Sequence, residues 1–397
     1  MNKKIASVLF AAVCFLSFGA MAVTARAAQV GAVSAGEAVL EVRSQRLLWE
    51  KDADRVLPMA STTKILTALI IAEECDPEAV VCVPEEAVGV EGSSVYLVAG
   101  EKLTVRDLLY GLMLRSGNDC AETLALYHSG SIRAFAGHMN ERARQLGAGN
   151  SHFCNPHGLP AEGHCTTAAD LAKIAAHALQ NELFSEIVSA RSWRVEDGGC
   201  GYARLWNNKN KMLSMYDGAD GVKTGYTKEA GRCLVTSATR GGMRLVSVVL
   251  DSPSMYERSS EILDSAFSRY SMRKIFDAQS YAPVVDTEVE GKTCRARCEK
   301  DFFYPLAEEE TGAVRVEEQL PARLRLPVRQ GDAVGEIKIC FQNQLIFSQK
   351  IVSIEDKEKS YFDILRELTR NGRRKSKCES TNISPNAESP AGGAATS

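Results

Sequence analysis

The sequence predicts an α/β chain of the α+β kind, an antiparallel sheet flanked by helices and followed by a small all-β domain. Three observations predict it. The β-branched runs 233–238 and 245–250 flank Arg240-Gly241-Gly242 as a central antiparallel hairpin. Between about residues 57 and 180, apolar residues recur at helical spacing in successive segments. Beyond about Ala278 the composition shifts to short strand-like runs separated by turns.

In chain order, Lys3 and Lys4, the apolar run 5–23 and Ala25-Arg26-Ala27 read as a secretory signal peptide over residues 1–27, with an uncleaved membrane anchor as the alternative. Cys14 is not preceded by the small residue a lipoprotein signal needs. About 370 residues remain, enough for a large domain over 28–277 and a smaller one over 278–356. No later segment is apolar enough to span a membrane. A net charge of -3, without basic clustering in the body of the chain, gives nucleic-acid binding no electrostatic support. Twelve cysteines are present. Removal of Cys14 leaves an odd number at wide spacing, so few or no disulfides are expected, as suits an exported protein in reducing surroundings. Cys294 and Cys298 are the local pair to check, but no second pair completes a metal set.

Residues 36–50 read as strand, turn, strand, leading into a buried helix entered at Pro58 with Ile65, Leu66, Leu69 and Ile70 on one side. The loop 80–100 carries Ser93, Ser94 and Tyr96 and is of a kind that lines sites. Thr104 and Asp107 form a capping box for a helix over 105–113, and a second helix resumes over about 120–127. Ser116-Gly117-Asn118 lies in the break between them. Further helices are read over 132–146 and 167–180. His152, His157 and His164 sit in a loop without metal spacing, and His128, His138 and His177 are taken as ordinary helix residues. Val222-Lys223-Thr224 falls on the strand before the hairpin, with Gly225 allowing close approach, and a helix over 258–269 closes the domain. Strand-like runs then occur at 284–285, 294–298, 302–304, 314–316, 324–326 and 336–339, with Gly331 and Gly335 as turn or bulge positions. Tyr361, Phe362, Ile364, Leu365 and Leu368 repeat at helical spacing before Arg370, Arg373, Arg374, Lys375 and Lys377. That segment, 357–378, reads equally as an amphipathic helix on an anionic membrane surface or as a domain cap. Residues 379–397 have a disordered composition.

Chemistry is carried by three motifs. Ser61 and Lys64 stack on one helix face, where a lysine short of water loses its proton and becomes a base for the neighbouring hydroxyl. Alone, Ser-x-x-Lys is also an ordinary helix start. Ser116-x-Asn118 adds a hydroxyl and an amide from a turn, and Lys223-Thr224-Gly225 a cation and hydroxyl from an edge strand. In this order the three form a constellation for a serine nucleophile.

With these blocks the sequence resembles the low-molecular-mass penicillin-binding proteins, the D-alanyl-D-alanine carboxypeptidases of the serine peptidase family that includes β-lactamases. The likeness extends through Pro58 to Lys64, Glu91-Gly92-Ser93-Ser94, Arg115 to Asp119, Asn155-Pro156-His157-Gly158-Leu159 and Asp220 to Thr227. It is strongest over about 38–270 and weaker through the β domain. The resemblance implies the penicillin-binding, β-lactamase-like transpeptidase fold, with no metal or cofactor needed. It implies that Ser61 attacks the penultimate D-alanine carbonyl of a peptidoglycan stem peptide and that Lys64 accepts its proton. Ser116 relays a proton to the leaving D-alanine, and Asn118 holds the substrate amide. Lys223, Thr224 and Arg258 face the terminal carboxylate, Gly225 allows the approach, and the N–H groups of Ser61 and Tyr226 form the oxyanion hole. β-Lactams would acylate Ser61. The implied location is the outer face of a bacterial membrane or the cell wall. An endopeptidase or transpeptidase on the same bond stays open, since the acyl acceptor is chosen by cleft shape. A β-lactamase would want a deacylating carboxylate that Glu91 is wrongly placed to supply, and a non-catalytic peptidoglycan binder would lack one of Ser61, Lys64 or Lys223.

Overall fold

The computed structural model describes residues 34–369. The expected signal peptide, Cys14, the basic run from Arg370 to Lys377, Cys378 and the tail 379–397 lie outside the described residues. The chain forms two compact units, one ending at Met272 and one starting at Arg273.

In the first unit, β1 (Gly36–Glu41) and β2 (Leu47–Lys51) pair antiparallel around a tight turn in which Gln45 takes a φ of 57°. A single 3-10 turn, Ala60–Thr63, leads into α1 (Lys64–Glu74), whose residues from Lys64 to Ile71 are all buried. Then come the small ladder β3 (Val80–Cys82) with β4 (Lys102–Thr104), α2 (Val105–Tyr110), α3 (Asn118–Ser129), α4 (Ile132–Gln145), α5 (Ala168–Ala178) and α6 (Glu182–Ser189). A ribbon of β5 (Ser192–Val195) and β6 (Arg204–Asn207) and the short α7 (Met212–Met215) precede β7 (Ala219–Thr227), β8 (Gly231–Arg240) and β9 (Met243–Leu250), and α8 (Met255–Arg269) follows. The main sheet is antiparallel throughout, in the order β2-β1-β9-β8-β7.

Register decides where the chemistry points. Lys223 lies opposite Val235, Val235 opposite Val248, and Val248 opposite Ala38. Cross-strand partners share a face, and Val235, Val248 and Ala38 belong to the core that also holds Ile65 and Leu69 of α1 and Leu171 and Ala175 of α5. Lys223 is thus turned inward. β7 is the last strand of this sheet, so one edge of the strand bearing Lys223-Thr224-Gly225 carries no partner strand among the described residues.

The break between α2 and α3 differs in detail from the sequence reading. The Thr104–Asp107 capping box forms, but the helix runs only to Tyr110 and then widens into a π-helical turn, Gly111–Arg115. Ser116 stops it in the left-handed region with a φ of 65°. Such conformations are uncommon outside glycine and concentrate where structure must hold them. α3 starts at Asn118, earlier than expected, and the expected helix over 167–180 ends at Ala178, with Asn181 capping the separate α6.

The second unit pairs β10 (Ser271–Phe276) with β13 (Phe302–Leu306) and builds a five-stranded sheet. Its members are β11 (Val284–Asp286), β12 (Thr293–Arg297), β14 (Val314–Gln319), β15 (Ala333–Phe341) and β16 (Gln344–Ser353), in the order β11-β12-β16-β15-β14. Cys294, Ala296, Ile337, Ile339 and Ile351 form its core. Residues 324–326 are not a strand, contrary to expectation; Leu324 makes only one bridge, to Thr287. The sequence reading also missed β16, whose mixed polar face hides its period. Gly331 takes a φ of 90°, and Gly335 sits at a register shift. All ten cysteines among the described residues are free thiols, Cys294 and Cys298 included. No helix among them is long and apolar enough to cross a membrane. Residues 361–369 are helical, with Tyr361, Phe362 and Leu368 exposed and Asp363 ion-paired to Lys292.

Candidate active site

The 3-10 turn that carries Ser61 lies against β7 and β8, and the π-helical turn before Ser116 lies against α1, β6 and β7. Three chain segments far apart in sequence therefore meet beside the inward-facing Lys223. Gly225 makes the approach possible: a Cβ there would sit 3.1 Å from the backbone nitrogens of both Ser61 and Thr62.

Lys64 is fully buried. Its Nζ lies 2.7 Å from Asn118 Oδ1, 2.6 Å from the His157 carbonyl oxygen and 3.1 Å from Ser61 Oγ. No carboxylate among the described residues pairs with it. Burial, and then the field of Lys223, push its pKa well below the usual lysine range. A neutral amine has two N–H donors and one lone pair. Asn118 Oδ1 and the His157 carbonyl can only accept, so they take both donors, and the lone pair is left for the Ser61 hydroxyl. In the neutral form of the amine, the arrangement leaves Ser61 donating to Lys64 Nζ.

The surroundings hold this geometry. The loop 155–164 closes over the Ser61 turn so tightly that a Cβ on Gly158, which has a φ of 91°, would lie 1.9 Å from the Ala60 carbonyl oxygen. His164 Nδ1 accepts from the Cys154 N–H at 3.0 Å, so its Nε2–H donates to Thr63 Oγ1 at 2.8 Å, and Thr63 donates in turn to the Ala60 carbonyl. His157 Nδ1 likewise accepts from the Leu159 N–H, leaving Nε2–H for Glu122 at 3.2 Å. Burial holds both imidazoles neutral, with pKa values pushed down to about 3 for His157 and about 4 for His164. Thr67 Oγ1 ties α1 to the Pro156 carbonyl at 2.7 Å. On the other wall, the buried Asp119 carboxylate accepts from Ser94 Oγ and from the Val95 and Leu97 N–H groups. The Asn118 N–H donates to the Ser93 carbonyl at 2.7 Å, which fixes the 91–97 loop over the start of α3.

Not every expected residue joins the cluster in the expected way. Both ends of the Asn118 amide are already engaged, since Nδ2 donates to the Glu91 carbonyl at 2.5 Å while Oδ1 takes Lys64. Asn118 thus holds Lys64 and the 91–97 loop, and the second N–H of Nδ2 makes no hydrogen bond among the described residues. Arg258 is placed elsewhere. Its guanidinium forks onto the fully buried Glu37 of β1 at 2.8 Å on each oxygen, reaches Glu261, and stacks over Trp49. β1 stands three strands from β7, about 14 Å at ordinary sheet spacing, so these contacts lie away from Lys223. Ser116, at the end of the π-helical turn, is buried, and Tyr226 of β7 is exposed. Among the described residues the Lys223 amine donates only to the Thr224 carbonyl, at 2.8 Å. Burial, and then the field of the solvent-facing Lys209, lower its pKa to about 7.

Two participants escaped the sequence reading. The His157 carbonyl is a backbone group and leaves no residue-type signal. Lys209, in the Asn207-Asn208-Lys209-Asn210 run, acts at a distance on both Lys64 and Lys223.

Known proteins share this architecture. Residues 21–254 match the model of the D-alanyl-D-alanine carboxypeptidase family, and residues 270–359 match that of the penicillin-binding protein 5 C-terminal domain. The chain is 29% identical over 375 residues to the D-alanyl-D-alanine carboxypeptidase DacF of Bacillus subtilis, covering 91% of this chain and 96% of that protein. Among solved structures, penicillin-binding protein 5 from Haemophilus influenzae superposes with a TM-score of 0.68 at 25% identity, over 83% of this chain and 98% of that one. The Streptomyces K15 DD-transpeptidase gives a TM-score of 0.56 at 35% identity, over 59% of this chain and 97% of the other.

Proposed function

The chain belongs to the D-alanyl-D-alanine carboxypeptidase family, and we propose that its activity runs through an acyl-enzyme on Ser61 with neutral Lys64 as general base. It is a serine-type D-alanyl-D-alanine carboxypeptidase acting on peptidoglycan stem peptides. The observation that carries the residue assignment is the contact set of Lys64: two acceptors and one hydroxyl around a buried amine without a counter-ion among the described residues.

In this reading the stem peptide lies along the free edge of β7, adding its backbone to the sheet. Ser61 Oγ attacks the carbonyl carbon of the penultimate D-alanine while its proton passes to Lys64 Nζ. The developing oxyanion is held by the N–H groups of Ser61 and Tyr226, each such donor being worth about 3–4 kcal/mol of barrier. Ser116 hands the proton on to the departing D-alanine amine. The C–N bond breaks, the ester on Ser61 remains, and water attacks it with Lys64 again taking a proton. Lys223 and Thr224 receive the terminal carboxylate, with the charge of Lys209 adding to the attraction. β-Lactams, which carry an amide carbonyl and a carboxylate in similar relation, acylate Ser61 and inhibit the enzyme. The N-terminal signal pattern supports export to the outer face of the membrane or the wall, and the apolar positions of residues 361–369 support peripheral contact with that membrane.

The test is intact mass after a labelled penicillin and, separately, after diacyl-L-Lys-D-Ala-D-Ala, comparing wild type with Ser61→Ala. A penicillin adduct on Ser61 with D-alanine release from the peptide supports the assignment; an adduct or release that survives Ser61→Ala contradicts it. A second reading, transfer of the acyl group to an amine, is favoured by the 35% identity to a protein named as a DD-transpeptidase. It predicts that an added amino-acid acceptor diverts the acyl-enzyme to a new peptide bond; hydrolysis alone would count against it.

A further inference from the structure

Far from Ser61, the helices bring together three side chains, two of them histidines that the sequence presents as ordinary helix residues. Glu74 is the last residue of α1, His128 lies near the end of α3, and His138 lies in the middle of α4. His128 Nε2 is 2.9 Å from Glu74 Oε2, and His138 Nε2 is 2.9 Å from Glu74 Oε1. One ligand atom from each residue lies within 4.8 Å of the others. The two imidazoles therefore present the same nitrogen to one carboxylate from two different helices.

We propose that Glu74, His128 and His138 form a transition-metal site of the zinc type, with water completing the coordination, that pins the end of α1 to α3 and α4. Three features of the cluster carry this. The first is spacing. Ligand atoms held at about 2.0–2.1 Å by a tetrahedral zinc lie roughly 3.3 Å apart, and the present separations, from 2.9 Å up to the 4.8 Å limit, bracket that value. Small side-chain rotations admit the ion.

The second feature is the chemistry of the donor set. Two imidazole nitrogens and one carboxylate suit a borderline-soft divalent ion. The neighbouring Glu73 is already matched by Arg142 at 2.8 Å, so Glu74 is the carboxylate available to the pair. The cluster is also open to water, the Glu74 side chain being 37% and His138 33% exposed, which gives the ion an entry path and a solvent ligand.

The third is support behind the ligands. Ser129 Oγ lies 2.7 Å from His128 Nδ1. Its hydroxyl can accept as well as donate, so it can hold the Nδ1–H tautomer that frees Nε2 for a metal. Phe135 packs edge-on against the same ring at 5.4 Å and keeps it from turning away. Lys64 and Glu74 are the first and last residues of α1, roughly 15 Å apart along the axis. The ion is thus a brace on the far end of the nucleophile helix and takes no part in the reaction.

The experiment is uptake of Co2+ and Zn2+ by the metal-stripped full chain, read by the visible d–d spectrum of Co2+ and by the thermal midpoint. Expected are one Co2+ per chain with tetrahedral-type bands and no thiolate charge-transfer band, displacement by Zn2+, and a higher midpoint with metal. His138→Gln and His128→Gln should each weaken uptake by at least about 10-fold to 100-fold while keeping penicillin acylation, which shows that they fold. Three results would overturn the proposal: no uptake by the wild type, uptake unchanged in both variants, or a thiolate band marking the free cysteines as the ligands.

Discussion

Lys64 and Lys223 are both buried lysines without a carboxylate partner among the described residues, yet their surroundings differ in completeness. Lys64 has three neighbours placed within 3.1 Å, supplied by three different segments. Lys223 has, among the described residues, only the carbonyl of the next residue in its own strand. The first region is finished before substrate arrives, and its polar groups are satisfied within the protein. The second is left open on an edge strand. Burial depresses both pKa values, but the effect serves opposite ends: a lysine that must accept a proton gains from it, and a lysine that must meet an anion recovers its charge when the anion comes. Desolvation alone therefore does not assign a role to a lysine; the count of acceptors around the amine does.

The largest expected effect falls on the finished region. Lys64→Gln removes the lone pair and should slow acylation by penicillin about 10^3-fold to 10^4-fold, with little change in the binding of the unreacted ligand. Stopped-flow acylation rates check it, and a loss confined to affinity would break the distinction between the two lysines.

Next comes the clamp over that region. Gly158→Ala puts a methyl where the Ala60 carbonyl lies and forces a left-handed conformation on a residue with a β-carbon. A loss of about 2–4 kcal/mol in denaturant stability is expected. An unchanged unfolding midpoint would mean that the loop does not hold the Ser61 turn.

The open region should respond in binding. Lys223→Ala is expected to raise KM for a peptide with a free C-terminal carboxylate by about 10-fold to 100-fold, the range for loss of one charge-assisted contact, and to erase the preference over the C-terminal amide. Because the proton on Lys223 is lost near pH 7 in the free enzyme, kcat/KM should fall on the alkaline side of that value. Lys223→Arg, which keeps its charge, should remove that limb. Equal alkaline limbs in the two proteins would contradict the assignment.

A last effect, modest near neutral pH and growing as pH falls, is on stability against acid. His157 and His164 titrate at about 3 and about 4 in the fold and near 6.5 when unfolded. Below about 6.5 the unfolded chain therefore binds more protons than the native one, so stability present above that pH is lost as pH falls. Each histidine costs up to about 1.4 kcal/mol per pH unit between about 6.5 and its folded value. Urea titrations of His164→Gln against wild type should show a shallower acid slope in the variant.

Much of this was legible in the sequence because the chemistry rests on side chains at short spacing. Ser61 with Lys64, Ser116 with Asn118, and Lys223 to Gly225 each announce themselves by residue type, and the hairpin 233–250 by its β-branched runs. What was not legible depends on backbone groups and on distance in the chain. No residue type signals that the His157 carbonyl faces an amine, and nothing in a single helix says that Glu74, His128 and His138 converge. Arg258 falls at a matching position in the sequence, but the buried Glu37 captures it. In the second unit, residues 324–326 read as a strand from their apolar residues alone, while the strand Gln344–Ser353 hid behind Gln344, Gln349 and Lys350.

The central claim is that Lys64 is neutral before substrate binds, and it is open to direct measurement. With lysine labelled at Nζ, NMR titration of wild type against Lys64→Gln assigns the resonance and gives its protonation state. The predicted result is a neutral amine at about pH 7, titrating well below the ordinary value of 10.5. A Lys64 that keeps its proton up to that ordinary range would contradict it.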